Sequence, residues 1–264
     1  MKIELDKFYT KPEVAKSCIS MITNLESYDC IVEPSAGFGS FSNQLNCIAY
    51  DIEPEGENII RQDFLALPNQ ELDQYKRILF IGNPPFGSRS SLAKQFIKKC
   101  ISLNATTIAF ILPDTFSKLT NQNCFPNNWN LILVHKLTNV CFIANSKDYH
   151  VPCSFYVWTR DPSNINLREI KMNIPNEFSF LSRGDMTADF TINGNTGKVK
   201  SVLEVTNAKA EHYIRVNNRE DVIRIKEIFQ NLTYDFKSSV NGGNAWIGQQ
   251  DIIKAFVINQ RKTQ

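Results

Sequence analysis

The segment Leu79-Phe80-Ile81-Gly82-Asn83-Pro84-Pro85-Phe86-Gly87 carries the most chemical information in the chain. Two consecutive prolines cannot continue a central strand, so the tetrad Asn83 to Phe86 closes a strand in a rigid turn. With the backbone held this way, the Asn83 amide oxygen and the Pro84 carbonyl oxygen could both accept from one amino group. Phe86 could stack on the planar ring that carries the amine. An exocyclic amine on such a ring is a poor nucleophile because its lone pair is delocalised. Acceptors on both N–H bonds favour a pyramidal nitrogen whose lone pair can attack an electrophilic methyl group in line, with no side-chain base needed beforehand. The competing reading is a plain proline turn that packs Phe86 into the core.

Upstream, Glu33-Pro34-Ser35-Ala36-Gly37-Phe38-Gly39 places two glycines two apart, directly after the apolar run Cys30-Ile31-Val32. Glycine permits a tight turn and a close approach of backbone to ligand, which is how α/β folds build a cofactor crevice at the carboxyl ends of their strands. The next apolar run ends in Tyr50-Asp51-Ile52-Glu53. A carboxylate at that tip can accept from both hydroxyls of a ribose. Asp63, in Arg61-Gln62-Asp63-Phe64, stands where a third strand would end. Taken singly, these are a surface turn and solvated charges; their order points to a nucleotide-type cofactor.

The elements that position these residues follow from periodicity. Short apolar runs around residues 30–32, 47–50, 78–81, 107–112, 131–134 and 154–158 are bounded by polar or turn residues and suit strands buried on both faces. Helical spacing over 12–24, 90–102 and beyond Pro113 alternates with them, which predicts an α/β fold with a largely parallel sheet. After residue 160 the texture changes. Residues 187–191 and 198–205 flank Asn193-Gly194-Asn195-Thr196-Gly197 and read as a hairpin, with helices expected near 219–230 and 248–258.

Composition excludes several classes. Hydrophobic residues make up 42% and charged residues 21%, as in an ordinary globular chain. There is no apolar run long enough to span a bilayer, and the start Met1 to Lys7 carries acids where a secretory signal would be apolar, so an intracellular protein of cytoplasm or nucleus is expected, without membrane attachment. The seven cysteines are odd in number and include no CxxC pair, which favours reduced thiols and no metal site. Net charge is +2, so a nucleic-acid partner would have to be met by a local patch.

Phe8-Tyr9-Thr10, then Glu33 to Gly39, then Asn83-Pro84-Pro85-Phe86 resembles, over roughly residues 6–160, the amino-methyltransferases that use S-adenosylmethionine, above all the N6-adenine DNA methyltransferases. The resemblance implies Tyr9 and Thr10 near the methionine end of the cofactor, and Glu33, Ala36, Gly37 and Gly39 along its methionine and sugar region. It implies Asp51 on the ribose, Ile52 on the adenine ring, and Asp63 accepting from the adenine amine with Phe64 beside it. Asn83, Pro84, Pro85 and Phe86 would hold the target base, with Phe142 as the opposite wall, Tyr149 as its rival, and a plain core role for Phe142 as the other reading. The chain departs from the pattern in placing Lys11 between Thr10 and Pro12, and the segment from Asp51 to Asp63 is too short for a full helix.

In the carboxyl-terminal part, Arg183-Gly184-Asp185, His212 to Val216 and Asn241 to Gly248 stand out. Trp246 near Arg215 could clamp an unpaired base or simply cap a small domain, and His212 reads as a structural or surface histidine. The expectation is therefore a Rossmann-like class I methyltransferase sheet over 1–160 with a small α+β extension over 161–264. Its activity would be methyl transfer to the N6 amine of adenine in nucleic acid, DNA ahead of RNA, on a flipped base, with a protein partner assisting target recognition. Methylation of RNA adenine, methylation of a protein glutamine amide, and an idle nucleic-acid-binding subunit are the alternatives. The glutamine enzymes usually have a tyrosine at the fourth tetrad position and a helical domain before the glycine motif.

Overall fold

The apolar runs become strands because their β-branched and aromatic side chains can be buried on both faces of a sheet. A computed structural model of the chain describes residues 8–138, 141–144, 147–149, 151–234 and 246–263. Residues 241–245, singled out above, lie outside the described residues. In chain order the first part comprises β1 (Tyr9–Thr10), α1 (Pro12–Ser20), β2 (Cys30–Glu33), β3 (Ile48–Asp51), β4 (Ile60–Arg61), β5 (Ile78–Gly82), α2 (Ser91–Ser102), β6 (Thr107–Pro113), α3 (Leu119–Gln122), β7 (Asn130–Leu137), β8 (Phe142–Ala144), β9 (Lys147–Tyr149) and β10 (Cys153–Thr159).

Seven strands form one sheet in the order β4-β3-β2-β5-β6-β10-β7. β2 to β6 run parallel, and β10 enters antiparallel between β6 and β7. This is the expected Rossmann-like methyltransferase sheet. Every residue of β5 and β6 is buried, and Phe80, Phe110, Phe64 and Phe96 form the centre of the core on the side where α2 packs. No α-helix is formed over residues 34–47 or 52–59, where turns and short 3₁₀ segments make the crossovers instead. A separate three-stranded sheet, β1-β8-β9, brings the amino-terminal Tyr9 and Thr10 against Ile143 and Phe142. Helix α1 stops at Ser20, short of the expected Asn24, because the amides of Met21 and Ile22 close onto Cys18 and Ile19 and Asn24 is left-handed at φ 56°.

The chain divides into two compact units at Glu169/Ile170, later than the boundary expected near residue 160. Residues 166–168 belong with the first unit because Leu167 N–H donates to the Leu131 carbonyl at 2.7 Å and the Arg168 guanidinium donates to the carbonyls of Pro126 and Phe125 at 2.7 and 2.8 Å. The second unit comprises β11 (Phe178–Leu181), β12 (Phe190–Asn193), β13 (Val199–Lys200), β14 (Glu211–Val216), α4 (Val222–Gln230) and α5 (Gln249–Thr263). Its antiparallel sheet has the order β11-β14-β12-β13, and Phe178, Phe190, Ile214, Phe229 and Phe256 fill its core. The expected hairpin is shorter than its pattern. Asp185 holds Thr187 in a local turn before the first strand, and Ser201 with Glu204 forms a capping box that ends the second.

None of the seven cysteines, all of them described, is in a disulfide. Among the described residues there is no cluster of metal-ligating side chains, and no helix is long and apolar enough to cross a membrane.

Candidate active site

Strand order reverses between β2 and β5, and the carboxyl ends at such a point form the crevice of an open α/β sheet. The register Val32 to Phe80 makes the glycine turn and the tetrad leave the sheet side by side, and Ser35 Oγ donates to the Asn83 carbonyl at 3.1 Å. The turn is tied on the other side to β3, with Ala36 N–H donating to the Tyr50 carbonyl at 2.9 Å. Gly37 has φ 55°, and a Cβ there would stand 2.9 Å from the Tyr9 ring, so glycine is required both by conformation and by space.

Asp51 holds this turn. Its Oδ2 accepts from Gly37 N–H and its Oδ1 from Glu53 N–H, each at 2.8 Å. Each carboxylate oxygen retains a second lone pair, so the ribose role read from sequence remains open to it. Phe38 and Ile52, at the turn and at the tip of β3, are 48% and 52% exposed and present apolar surface there. Tyr9 packs on Phe38 at 4.4 Å between ring centres and donates its hydroxyl to Glu55 at 2.6 Å. Thr10 is buried, and its Oγ1 has no hydrogen-bond partner among the described residues.

Glu33 closes β2 at the base of the turn. It is 2% exposed and accepts from Ser42 N–H at 2.8 Å, so it braces the turn from within. Burial pushes its carboxyl up to about 7, the amides of Ser42 and Phe41 oppose the shift, and the charge of Asp51 adds to it. Asp63 is exposed and caps a 3₁₀ turn by accepting from Leu65 N–H at 2.9 Å. Phe64, next to it, is a core residue. Its ring is buried against Phe96 and Phe80, at 5.5 and 5.8 Å, as part of the core.

Within the tetrad, Asn83 Nδ2 donates to the Phe8 carbonyl at 3.2 Å, which orients the amide. Among the described residues, Asn83 Oδ1 is buried without a partner. Pro84 and Phe86 are buried and Pro85 half-buried. The Phe86 carbonyl accepts from the amides of Leu92 and Ala93 at 3.2 and 3.3 Å, so the tetrad is fused to the start of α2.

Phe142 does not line an open wall. It is fully buried, edge-on to Phe8 at 6.5 Å, because its strand pairs with β1. Tyr149, its cross-strand partner on β9, is 48% exposed and lies 4.8 Å from the Phe8 ring. Phe8 is the residue that sequence reasoning undervalued, since its carbonyl orients Asn83 and its ring carries Tyr149; its place in the aromatic Phe8-Tyr9 pair was the available signal. The extra Lys11 has a use as well, with Nζ 2.8 Å from Asp148 and its amide donating to the Cys141 carbonyl, so it anchors the β8–β9 hairpin. Asp114 also went unnoticed, an acid after Pro113 at the end of β6 that accepts from Ser154 Oγ at 2.7 Å.

In the second unit the capping reading of Trp246 prevails. A Cβ on Gly194 would stand 2.5 Å from its ring, and the His212 ring lies 5.5 Å away. His212 Nε2 is 2.8 Å from the Ile247 carbonyl, and burial lowers its pKa. The Arg215 guanidinium donates to the Thr187 carbonyl.

A Rossmann-like sheet with a glycine turn and an Asn-Pro-Pro-Phe tetrad at its switch point defines a methyltransferase-like domain. The model of the EDM2 methyltransferase-like domain matches residues 25–191, and the chain belongs to that family. Among characterised relatives, Protein ENHANCED DOWNY MILDEW 2 of Arabidopsis thaliana is 24% identical over 200 residues, 69% of this chain and 14% of that protein. The chain thus spans a small part of that relative's length. Among solved structures, a Pyrococcus horikoshii protein assigned as an RNA methyltransferase overlays with a TM-score of 0.44 at 13% identity, over 60% of this chain and 90% of the other.

Proposed function

We propose that the chain methylates the N6 amine of adenine in nucleic acid, DNA ahead of RNA, with S-adenosylmethionine as the donor. Asn83 carries this reading: its Oδ1 is a buried acceptor without a partner among the described residues, in an amide already oriented by Phe8. Leaving such an acceptor unpaired costs about 1–3 kcal/mol, and an incoming amine N–H would satisfy it. The Pro84 carbonyl, on a backbone fixed by two prolines, supplies the second acceptor that makes the nitrogen pyramidal.

The residues present fit the cofactor. The turn at Gly37 and Gly39 lets backbone approach a ligand, Asp51 retains lone pairs for ribose hydroxyls, Phe38 and Ile52 offer apolar faces, and Thr10 Oγ1 is an unsatisfied hydroxyl beside the turn. When bound, the sulfonium group supplies an electrophilic methyl. A base inside a duplex is out of reach of the tetrad, so the target has to be flipped out, at least cost from unpaired strands. The net charge of +2 favours help in target recognition from a protein partner.

Transfer of radiolabelled methyl to matched single- and double-stranded DNA and RNA, followed by nucleoside analysis, tests the proposal. N6-methyldeoxyadenosine is expected from the wild-type chain, and about 10²–10³-fold less of it from Asn83→Ala. Label confined to RNA adenine would change the substrate, and label in a protein glutamine amide would replace the reading.

A further inference from the structure

Backbone strain beside the tetrad singles out Arg89. Gly87, Arg89 and Ser90 have φ of 66°, 52° and 59°, three positive values in the short link between the tetrad and α2, the last two in the left-handed helical region. Glycine is required at position 87, where a Cβ would stand 2.8 Å from the Leu92 Cβ. Arg89 has no such reason to be left-handed. Its Cβ is penalised in this region, and glycine would be the lower-energy choice.

The link is pinned at both ends. Ser90 N–H donates to the Gly87 carbonyl at 3.2 Å, and the amides of Leu92 and Ala93 donate to the Phe86 carbonyl, so the Arg89 backbone is fixed relative to Phe86. Its side chain is exposed and, among the described residues, makes neither a hydrogen bond nor an ion pair. Lys11, by contrast, is paired with Asp148. A strained residue without an intramolecular contact to offset the strain points to a functional side chain.

We propose that Arg89 binds the phosphodiester flanking the target nucleotide and anchors the strand while the base turns into the tetrad. This rests on the nucleic-acid reading above. A planar guanidinium matches two phosphate oxygens at once, and such a contact positions the strand without reading its sequence. With a net charge of only +2 the chain must hold a polyanion through local cations, so one carried on a pinned backbone next to the tetrad weighs more.

Two variants of the full chain test it. Arg89→Gly removes the guanidinium and the strain, whereas Arg89→Gln removes the charge and keeps the strain. Binding to fluorescent single-stranded DNA is followed by anisotropy over a salt series. Both variants should bind about ten-fold more weakly at low salt, uniformly across sequences, with the slope of log K against log salt reduced by about 0.7, the share of one phosphate on a single strand. Arg89→Gly should also raise Tm by about 2 °C, and Arg89→Gln should not. An unchanged affinity and slope in both variants overturns the assignment, as does a wild-type chain that binds no oligonucleotide. Adenine labelling is scored on the same samples. A reduced slope without label upholds the phosphate contact and sinks the methylation reading; label with unchanged slope and KM sinks the contact alone.

Discussion

Truncating Asn83 should sharply slow the chemistry while leaving the fold almost intact. In Asn83→Ala the bond from Nδ2 to the Phe8 carbonyl, 3.2 Å long, is lost, at a cost of about 0.5–1.5 kcal/mol. The same change removes the buried Oδ1, which has no partner, and relieves a penalty of about 1–3 kcal/mol. The two effects oppose each other, so the unfolding free energy should lie within about 1 kcal/mol of wild type, or above it. Methyl transfer should fall by about 10²–10³-fold, the scale of removing one preorganised hydrogen-bonding group from a reacting centre. Cofactor affinity should hold within a few-fold, because Asn83 is assigned to the target. Asn83→Asp is the contrasting variant: its carboxylate would face the Phe8 carbonyl with no donor between them, so it should be the less stable of the two. Urea unfolding, labelled methyl transfer and calorimetry with S-adenosylmethionine read the three quantities. A loss of more than about 2 kcal/mol in Asn83→Ala would mean that the amide is a structural group, and transfer within ten-fold of wild type would refute its role as acceptor.

Glu33 makes stability depend on pH. Its carboxyl is raised from 4.5 to about 7 in the folded chain, so its favourable contribution is complete below about 4.5 and is lost as pH rises through about 7. Glu33→Gln should therefore flatten the Tm profile over this window and raise stability above pH 7 by up to about 3 kcal/mol; an unaltered profile would contradict the burial. Asp51→Ala should both loosen the glycine turn and weaken cofactor binding by about 1–3 kcal/mol, and calorimetry showing an unchanged dissociation constant would remove Asp51 from the cofactor site. Phe142→Ala should cost about 3–5 kcal/mol of stability, whereas Tyr149→Ala should leave Tm near wild type and raise KM for the nucleic acid; the reverse pattern would restore Phe142 as the wall.

Several features of the site were legible because they rest on local chemistry. Two prolines after a continuous apolar run end a strand wherever it lies, and the strand ends at Gly82 as expected. The left-handed turns at Gly37 and Gly39 follow from residues that alone adopt them freely. The Asp63-Phe64 pair was ambiguous for the same reason, since an acid followed by an aromatic reads equally as a cofactor contact or as a cap before a core residue. Packing against Phe80 and Phe96 decided for the core in the case of Phe64.

The sequence by itself determined the alternating elements, the parallel core strands, and the order of the glycine turn, the acid at the tip of β3 and the tetrad, since each depends on residue type, spacing and the steric rules of proline and glycine. Tertiary structure alone decided which side chains face the crevice. The amide of Asn83 is oriented by a carbonyl 75 residues away, Asp51 reaches back 14 residues to the turn, and Phe142 is buried because β8 pairs with β1. Those contacts join segments distant in the chain, and burial there depends on what the partner segment covers, which local periodicity does not encode.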